Sequence, residues 1–232
     1  MASVRRSNGI RWLVGTAGVA VLAVGFIGFL HLPAARPLLA TLGVSCPVGH
    51  ATMAQVEASR SVALGELRGQ APAAARPALG LSLDATTEAQ AVAWAEARHL
   101  DCSAKEKGLK YLKCEKVPAE ALGQPYTALP VDELTLAFGS KGVLVGVQTY
   151  RAQVPPQEAE KLMAGERQSL RETLKAEPTK EVGDRSGAYL AAGPMHMAVI
   201  DYRFSDYIAQ VQATNLLHSG IVVTEKFLSA AN

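Results

Sequence analysis

The sequence carries little net charge, and it lacks the motifs that mark the common enzyme classes. The formal charge of the 232 residues is +2, and without Arg5, Arg6 and Arg11 the chain keeps 20 basic and 21 acidic residues. Such a balance argues against nucleic acid, because binding to phosphates needs a concentrated basic face. The sequence also has no phosphate-binding glycine loop, no haem-attachment motif and no His-Glu-x-x-His motif. We therefore expect a protein without a cofactor that is not an enzyme.

Residues that could serve a hydrolase are present but carry no supporting motif. The candidate nucleophiles are Ser45, Ser186 and Ser219, the last preceded by His218. None lies in a Gly-x-Ser-x-Gly elbow. The acidic residues that could form a carboxylate pair are Asp201, Asp206 and Glu225. On an exposed sheet face, alternating charges of this kind are usually solvated side chains, so an unrecognised hydrolase is only an alternative hypothesis.

One long apolar stretch lies near the start of the sequence. Residues 12–30 contain no charged side chain. A helix of this length is about 28 Å long, which matches a hydrocarbon core of roughly 30 Å. Three arginines precede the stretch and only two follow within the next thirty residues. By the positive-inside rule, this asymmetry places the N-terminus in the cytoplasm and the rest of the chain across the membrane.

The abundance of alanine, glycine and arginine is typical of a GC-rich bacterial coding sequence, so the predicted location is the bacterial inner membrane with a periplasmic C-terminal domain. The alternative to a permanent signal-anchor is a cleaved signal peptide, which has a shorter apolar core and a small-x-small cleavage site. The length of the stretch and Pro33 and Pro37 after it favour the anchor. In both cases most of the chain is exported.

Two of the three cysteines are placed to form a disulfide bond. If residues 107–109 make a tight turn, Cys102 and Cys114 lie directly opposite each other on paired strands. Export makes such a bond chemically accessible. Closing a loop of about 13 residues would stabilise the fold by roughly 3 kcal/mol through chain entropy.

The third cysteine lies close to a histidine and a methionine. Cys46, His50 and Met53 offer a thiolate, an imidazole and a thioether, the soft ligands that suit copper. A second nearby histidine, which a blue-copper site needs, is missing. The simpler interpretation is that His50 and Met53 belong to the start of a helix, and that Cys46 is free or links two chains.

Hydrophobic periodicity after the anchor predicts helices and strands in alternation. Helices are expected over residues 52–68, over 87–99 from the capping box of Thr87 and Gln90, and from Pro156 to before Pro178. The predicted strands cover residues 109–117, 134–138, 143–150, 197–204, 208–214 and 221–227. This order predicts an α+β fold, in which an antiparallel sheet has its helices packed on one face and follows a single transmembrane helix.

The predicted organisation has four parts. They are a cytoplasmic N-terminus (1–11), a transmembrane anchor (12–30), a juxtamembrane helix and linker (31–85) and an extracytoplasmic α+β domain (86–232). Within the last part, the order of a helix followed by strands occurs twice, which suggests two units over residues 86–152 and 153–232.

Aromatic residues cluster in the last predicted strands. Tyr202 and Phe204 share one face of a strand, and Tyr207 follows them. They are expected either to line the core beneath the helix that starts at Pro156, or to form a groove that takes a partner strand. Together with the anchor and the missing motifs, this predicts a non-enzymatic, membrane-anchored envelope protein with a protein-interaction or scaffold role. The alternatives are a periplasmic copper-binding or copper-delivery protein and an unrecognised hydrolase.

Overall fold

Antiparallel strands and a few helices make up the part of the chain that the structure describes. The computed structural model describes residues 52–107 and 109–231. The predicted anchor over residues 12–30 lies outside the described residues, and no helix within them is long and apolar enough to cross a membrane. In chain order the elements are α1 (Met53–Gly65), β1 (Pro77–Ala78), β2 (Leu81–Ser82), α2 (Glu88–Glu96), β3 (Asp101–Lys107), β4 (Leu109–Val117), a 3-10 helix (Ala119–Leu122), β5 (Val131–Phe138), β6 (Leu144–Arg151), α3 (Pro156–Leu174), β7 (Lys180–Val182), α4 (Gly187–Ala191), β8 (Met197–Arg203), β9 (Tyr207–Leu216) and β10 (Gly220–Ser229).

Eight of the strands form one antiparallel sheet in the order β3-β4-β5-β6-β10-β9-β8-β7. The predicted α+β class with an antiparallel sheet is therefore confirmed. Strands β3 to β6 follow α2 as one meander, and β7 to β10 follow α3 as another. The last strands of the two meanders, β6 and β10, pair in the middle of the sheet, with Arg151 opposite Val223 and Thr149 opposite Glu225.

Local sequence signals account for the starts of the helices. Thr52 and Gln55 form a capping box at α1, and Thr87 and Gln90 form one at α2, so that the first backbone amides of each helix have acceptors. Helix α3 begins at Pro156, where the missing amide proton costs no hydrogen bond.

The helices do not all lie on the same face of the sheet. Helix α3 packs on the face that carries Val211 and Phe227, through a stripe of buried residues. In α1, the one buried side chain, Leu64, instead packs against Ile208 and Leu228. Because side chains alternate along a strand, Leu228 points to the face opposite Phe227. The expected one-sided packing thus holds for α3 but not for α1.

The cysteine pair lies where the sequence places it. Cys102 and Cys114 are direct partners in the register of β3 and β4, and their sulfur atoms are 2.00 Å apart. Cys114 is buried in the core, whereas Cys102 is partly exposed at the outer strand. The bond therefore ties an edge strand of the sheet to the interior.

Candidate functional site

A cluster of polar side chains is buried between α3 and the centre of the sheet. We call it the polar cluster; its members are Gln124, Tyr126, Thr149, Arg151, Glu166 and Glu225. Arg151 is 1% exposed, Glu166 3% and Glu225 0%. Charged residues are almost never buried this completely without partners, so their contacts decide what the cluster can do.

Gln124 connects the charged members of the cluster. Its Nε2 donates to Oε1 of Glu166 at 2.6 Å and to Oε1 of Glu225 at 2.9 Å. Its Oε1 accepts a hydrogen bond from Nη2 of Arg151. Arg151 also forms an ion pair with Glu225, with Nη1 to Oε1 at 3.3 Å. The second oxygen of Glu225 accepts from the Thr149 hydroxyl at 2.6 Å.

The cluster holds two carboxyl groups but one guanidinium. Arg151 pairs with Glu225, whereas Glu166 has no ion-pair partner among the described residues. Burial, and then the negative charge of Glu225, raises the pKa of Glu166 to about 8. Burial together with Glu166 also raises the pKa of the Tyr126 hydroxyl, which remains a donor. At neutral pH the favoured form of Glu166 is therefore the neutral acid.

A glycine in the middle of α3 makes room for Tyr126. The Tyr126 hydroxyl donates to Oε1 of Glu166. A Cβ added at Gly165 would lie 2.3 to 2.8 Å from three atoms of the Tyr126 ring, closer than any real contact. The aromatic ring therefore lies directly against the backbone of the helix, which only glycine permits.

Gly165→Ala should destabilise the protein by about 1–3 kcal/mol, because overpacking displaces Tyr126 and its hydrogen bond to Glu166. In an exposed helix the same change would stabilise by about 1 kcal/mol. Urea unfolding followed by circular dichroism measures the difference. Ala164→Gly is the control at the adjacent exposed position and should cost only the helix-propensity term. A more stable Gly165→Ala variant would contradict the close packing.

A pocket of about 420 Å³ opens beside the polar cluster. Glu166, Gln124 and Tyr126 form part of its wall. Its apolar lining comes from Pro77, Leu79, Leu122, Leu170 and Phe227, and its other polar lining residues are Arg98, Glu120, Ser169 and Thr173. We call it the α3 pocket. Its volume lies within the range of pockets that bind small molecules, and polar and apolar groups share its wall about equally.

Arg98 is held in place at the wall of this pocket. Its guanidinium carbon lies 4.8 Å from the centre of the Trp94 ring. Its Nε donates to the carbonyl oxygen of Ala121 at 3.1 Å, and Nη1 donates to that of Trp94 at 3.3 Å. The guanidinium of Arg98 therefore has three contacts at the rim of the pocket, and none of them is with Glu166.

No family model, curated protein or solved structure matches the chain. A functional proposal therefore depends on the chemistry of the polar cluster and the α3 pocket. Within residues 52–107 and 109–231, no group of three or more histidine, cysteine or acidic side chains is arranged to hold a metal ion.

Of the three residues that suggested copper, the structure describes only Met53. Cys46 and His50 lie outside the described residues. Met53 is the first residue of α1, as the simpler interpretation expects. The copper hypothesis stays a prediction.

The aromatic residues near the C-terminus belong largely to the core. Tyr202 and Tyr207 are fully buried, and Phe204 packs against the same core. The Tyr207 hydroxyl donates to the carbonyl oxygen of Pro77 at 2.7 Å, and the Tyr202 hydroxyl donates to that of Arg167 at 3.1 Å. Of the two interpretations drawn from the sequence, this placement matches the core face under α3.

The expectation of solvated surface charges is wrong for Asp201 and Glu225, because both are buried and the side chain of Glu225 points into the core. Strand β10 alternates, and Val223 and Phe227 on either side of Glu225 are both buried. The same kind of signal was present for Glu166, which occupies a gap in the apolar stripe of α3 between Met163 and Leu170. In both elements the acidic residue takes a position that the hydrophobic pattern assigns to the core. This placement is the sequence signal that indicates a buried polar site.

Ser45 lies outside the described residues, and the hydrolase candidates within them are not gathered at one place. The Ser186 hydroxyl caps α4, accepts from the Tyr189 amide and donates to Asp184. Asp201 is bonded to Arg203 and Gln210, whereas Asp206 accepts from the Ala73 amide. Each of these three groups therefore has a local structural partner.

Proposed function

We propose that the chain is a membrane-anchored, non-enzymatic envelope protein whose exported domain binds a small molecule in the α3 pocket. The observation that carries the proposal is the position of Glu166, which is almost fully buried and yet lines the pocket. A polar group is kept in such a place at a cost in stability. Recognition of a ligand is a function that offsets this cost.

The composition of the α3 pocket favours binding over catalysis. Its lining includes no histidine and no cysteine among the described residues. The hydroxyls of Ser169 and Thr173 therefore have no imidazole base beside them among the residues that line the pocket. What the pocket does offer is a shaped apolar wall and fixed hydrogen-bonding groups.

The paired cysteines support the proposed export. A bond between Cys102 and Cys114 forms and persists in an oxidising compartment. A reporter enzyme that needs disulfide bonds, fused after Asn232, should therefore be active when expressed with the whole chain. The same fusion without residues 1–30 should be inactive, because it has no export signal. An active full-length fusion to a reporter that works only in the cytoplasm would contradict the predicted topology.

A protein-interaction role is the second candidate, and one surface feature favours it. Met195 is 74% exposed and Leu217 is 75% exposed. The two lie at the same end of the sheet, since the Met195 amide donates to the carbonyl oxygen of Asn215 and Leu217 follows β9. The edge strands are less suited to a partner, because β3 is rich in charge and β7 has three residues.

Blocking the α3 pocket tests the binding function. Ser169→Trp should abolish binding of any ligand, because Ser169 is exposed on α3 and lines the pocket. Gln168→Trp is the matched control, since Gln168 is equally exposed on the same helix but does not line the pocket. The measurement is a thermal-shift screen of the full-length protein against small molecules of mixed charge. Hits that shift both variants alike would contradict a site in the α3 pocket.

A further inference from the structure

The polar cluster would lack one positive charge if both of its carboxyl groups were ionised. Glu225 has Arg151 as its cation, and Glu166 has only the neutral donors Gln124 and Tyr126. Two buried carboxylates beside one guanidinium repel each other, and a medium of low polarity does not screen them well. Such an arrangement is balanced either by a proton on Glu166 or by a second cation.

The carboxyl group of Glu166 borders the α3 pocket. Both donors to Glu166, Nε2 of Gln124 and the Tyr126 hydroxyl, bond to the same oxygen, Oε1. Among the described residues, the other oxygen, Oε2, has no hydrogen-bond partner. Since Glu166 lines the pocket, a ligand can reach this carboxyl group from the pocket side.

We propose that the α3 pocket binds a small molecule with a protonated primary amine, whose ammonium group pairs with Glu166 while its apolar part contacts Leu122 and Leu170. This inference rests on the proposed binding function. When the amine binds, the proton of the neutral Glu166 leaves to solvent and the ammonium takes its place. The net charge of the cluster together with its ligand is then unchanged.

Other ligand chemistries fit the cluster less well. A carboxylate ligand would place a third acidic group beside Glu166 and Glu225 and would have to draw on Arg98, which is already held by Ala121 and Trp94. A neutral acceptor, such as an alcohol or an amide, would bond to the proton of Glu166. These chemistries have opposite pH dependences: an amine needs the proton to leave, and a neutral acceptor needs it to stay.

The groups that face Glu166 are few, so its charge governs the pH dependence. The sheet residues that interact electrostatically with Glu166 are Arg151, Glu225 and Tyr207. Tyr126, in the loop after the 3-10 helix, also interacts with it. At the pocket wall stand Arg98 and Glu120. Burial raises the pKa of Tyr207 as well, which keeps that hydroxyl neutral over the range of interest.

Titration calorimetry of the full-length protein in detergent with n-butylamine tests the inference. Butylammonium keeps its charge between about pH 6 and about pH 9, whereas Glu166 loses its proton. The affinity should rise by about tenfold for each unit of pH until Glu166 is ionised, and then level off. At the lower pH, buffers of different ionisation enthalpy should report the release of a proton on binding.

Variants and matched probes separate this inference from the proposed function. Glu166→Gln, which has the shape of the neutral acid, should lower the affinity for n-butylamine by at least about tenfold and remove its pH dependence. Butanol and butyrate should bind at least about tenfold more weakly than the amine. Equal binding of the three probes, an affinity that falls with pH, or no binding of n-butylamine would overturn the inference. A different outcome is that ligands of another charge bind to Gln168→Trp but not to Ser169→Trp. That outcome would support the proposed binding function while contradicting the inference that the ligand is an amine.

Discussion

Replacing Arg151 by methionine should lower the free energy of unfolding by about 3–5 kcal/mol, because it leaves the buried Glu225 without its cation. Methionine keeps much of the length of the arginine side chain, so the loss reports the charge rather than a cavity. The remaining donors to Glu225 are Thr149 and Gln124, both neutral. Denaturant unfolding at neutral pH, followed by circular dichroism, measures the change.

A surface ion pair provides the control for this prediction. Arg185 and Glu181 approach to 2.7 Å, but both side chains are about one-third exposed. Arg185→Met should therefore cost less than about 1 kcal/mol, because water replaces the lost contact. Equal losses for Arg185→Met and Arg151→Met would show that the buried pair has no special role.

The double variant Arg151→Met with Glu225→Leu adds a further check. Removing both charges avoids leaving either one unpaired, so the double variant should be more stable than Arg151→Met alone. The two single changes should not add, because the side chains share one ion pair. Additive losses would contradict a direct coupling between Arg151 and Glu225.

Local elements of the fold were predictable because their causes are local. The capping box at Thr87 starts α2, Pro156 starts α3, and the pairing of Lys107 with Leu109 belongs to the register that brings Cys102 opposite Cys114. Each of these signals acts over a few residues of the chain. The period-2 alternation likewise gave β4 over residues 109–117, as observed.

The central pairing of β6 with β10 was not predictable in the same way. It joins Thr149 to Glu225 across 76 positions of the sequence, and no turn between them fixes the register. The polar cluster depends on this pairing, since it brings the Arg151 guanidinium to Glu225. A site built from non-local contacts therefore has no compact motif.

The role of Gly165 shows a second limit of the sequence. In a helix, an isolated glycine indicates a weak position. Only the structure shows that the ring of Tyr126, which precedes Glu166 by 40 positions, fills the space above this glycine. The residue with the poorest helix propensity in the middle of α3 is thus what allows a donor to reach the buried acid.

The stability of the protein should fall as the pH rises from about 4.5 to about 8, and Glu166→Gln should remove much of that fall. The unfolded chain releases the Glu166 proton near the ordinary pKa of 4.5, whereas the folded protein holds it until about 8. The folded state therefore binds more protons in this window, and its advantage is fully present below the lower value and lost above the upper one. A tenfold difference in proton affinity between the two states corresponds to about 1.4 kcal/mol, so the total effect is on the order of a few kcal/mol.

Measuring the free energy of unfolding from about pH 4 to about pH 9 for three proteins decides this prediction. The wild type should show the slope, and Glu166→Gln should be the more stable protein at the alkaline end. Its amide oxygen can still accept from Gln124 and Tyr126, and no charge has to be buried. Glu172→Gln, an exposed change on the same helix, should keep the slope of the wild type. Because other titrating groups are common to all three proteins, the difference between the slopes isolates Glu166. Parallel slopes for the wild type and Glu166→Gln would mean that Glu166 is already ionised in the folded protein, and that its charge is compensated without a proton.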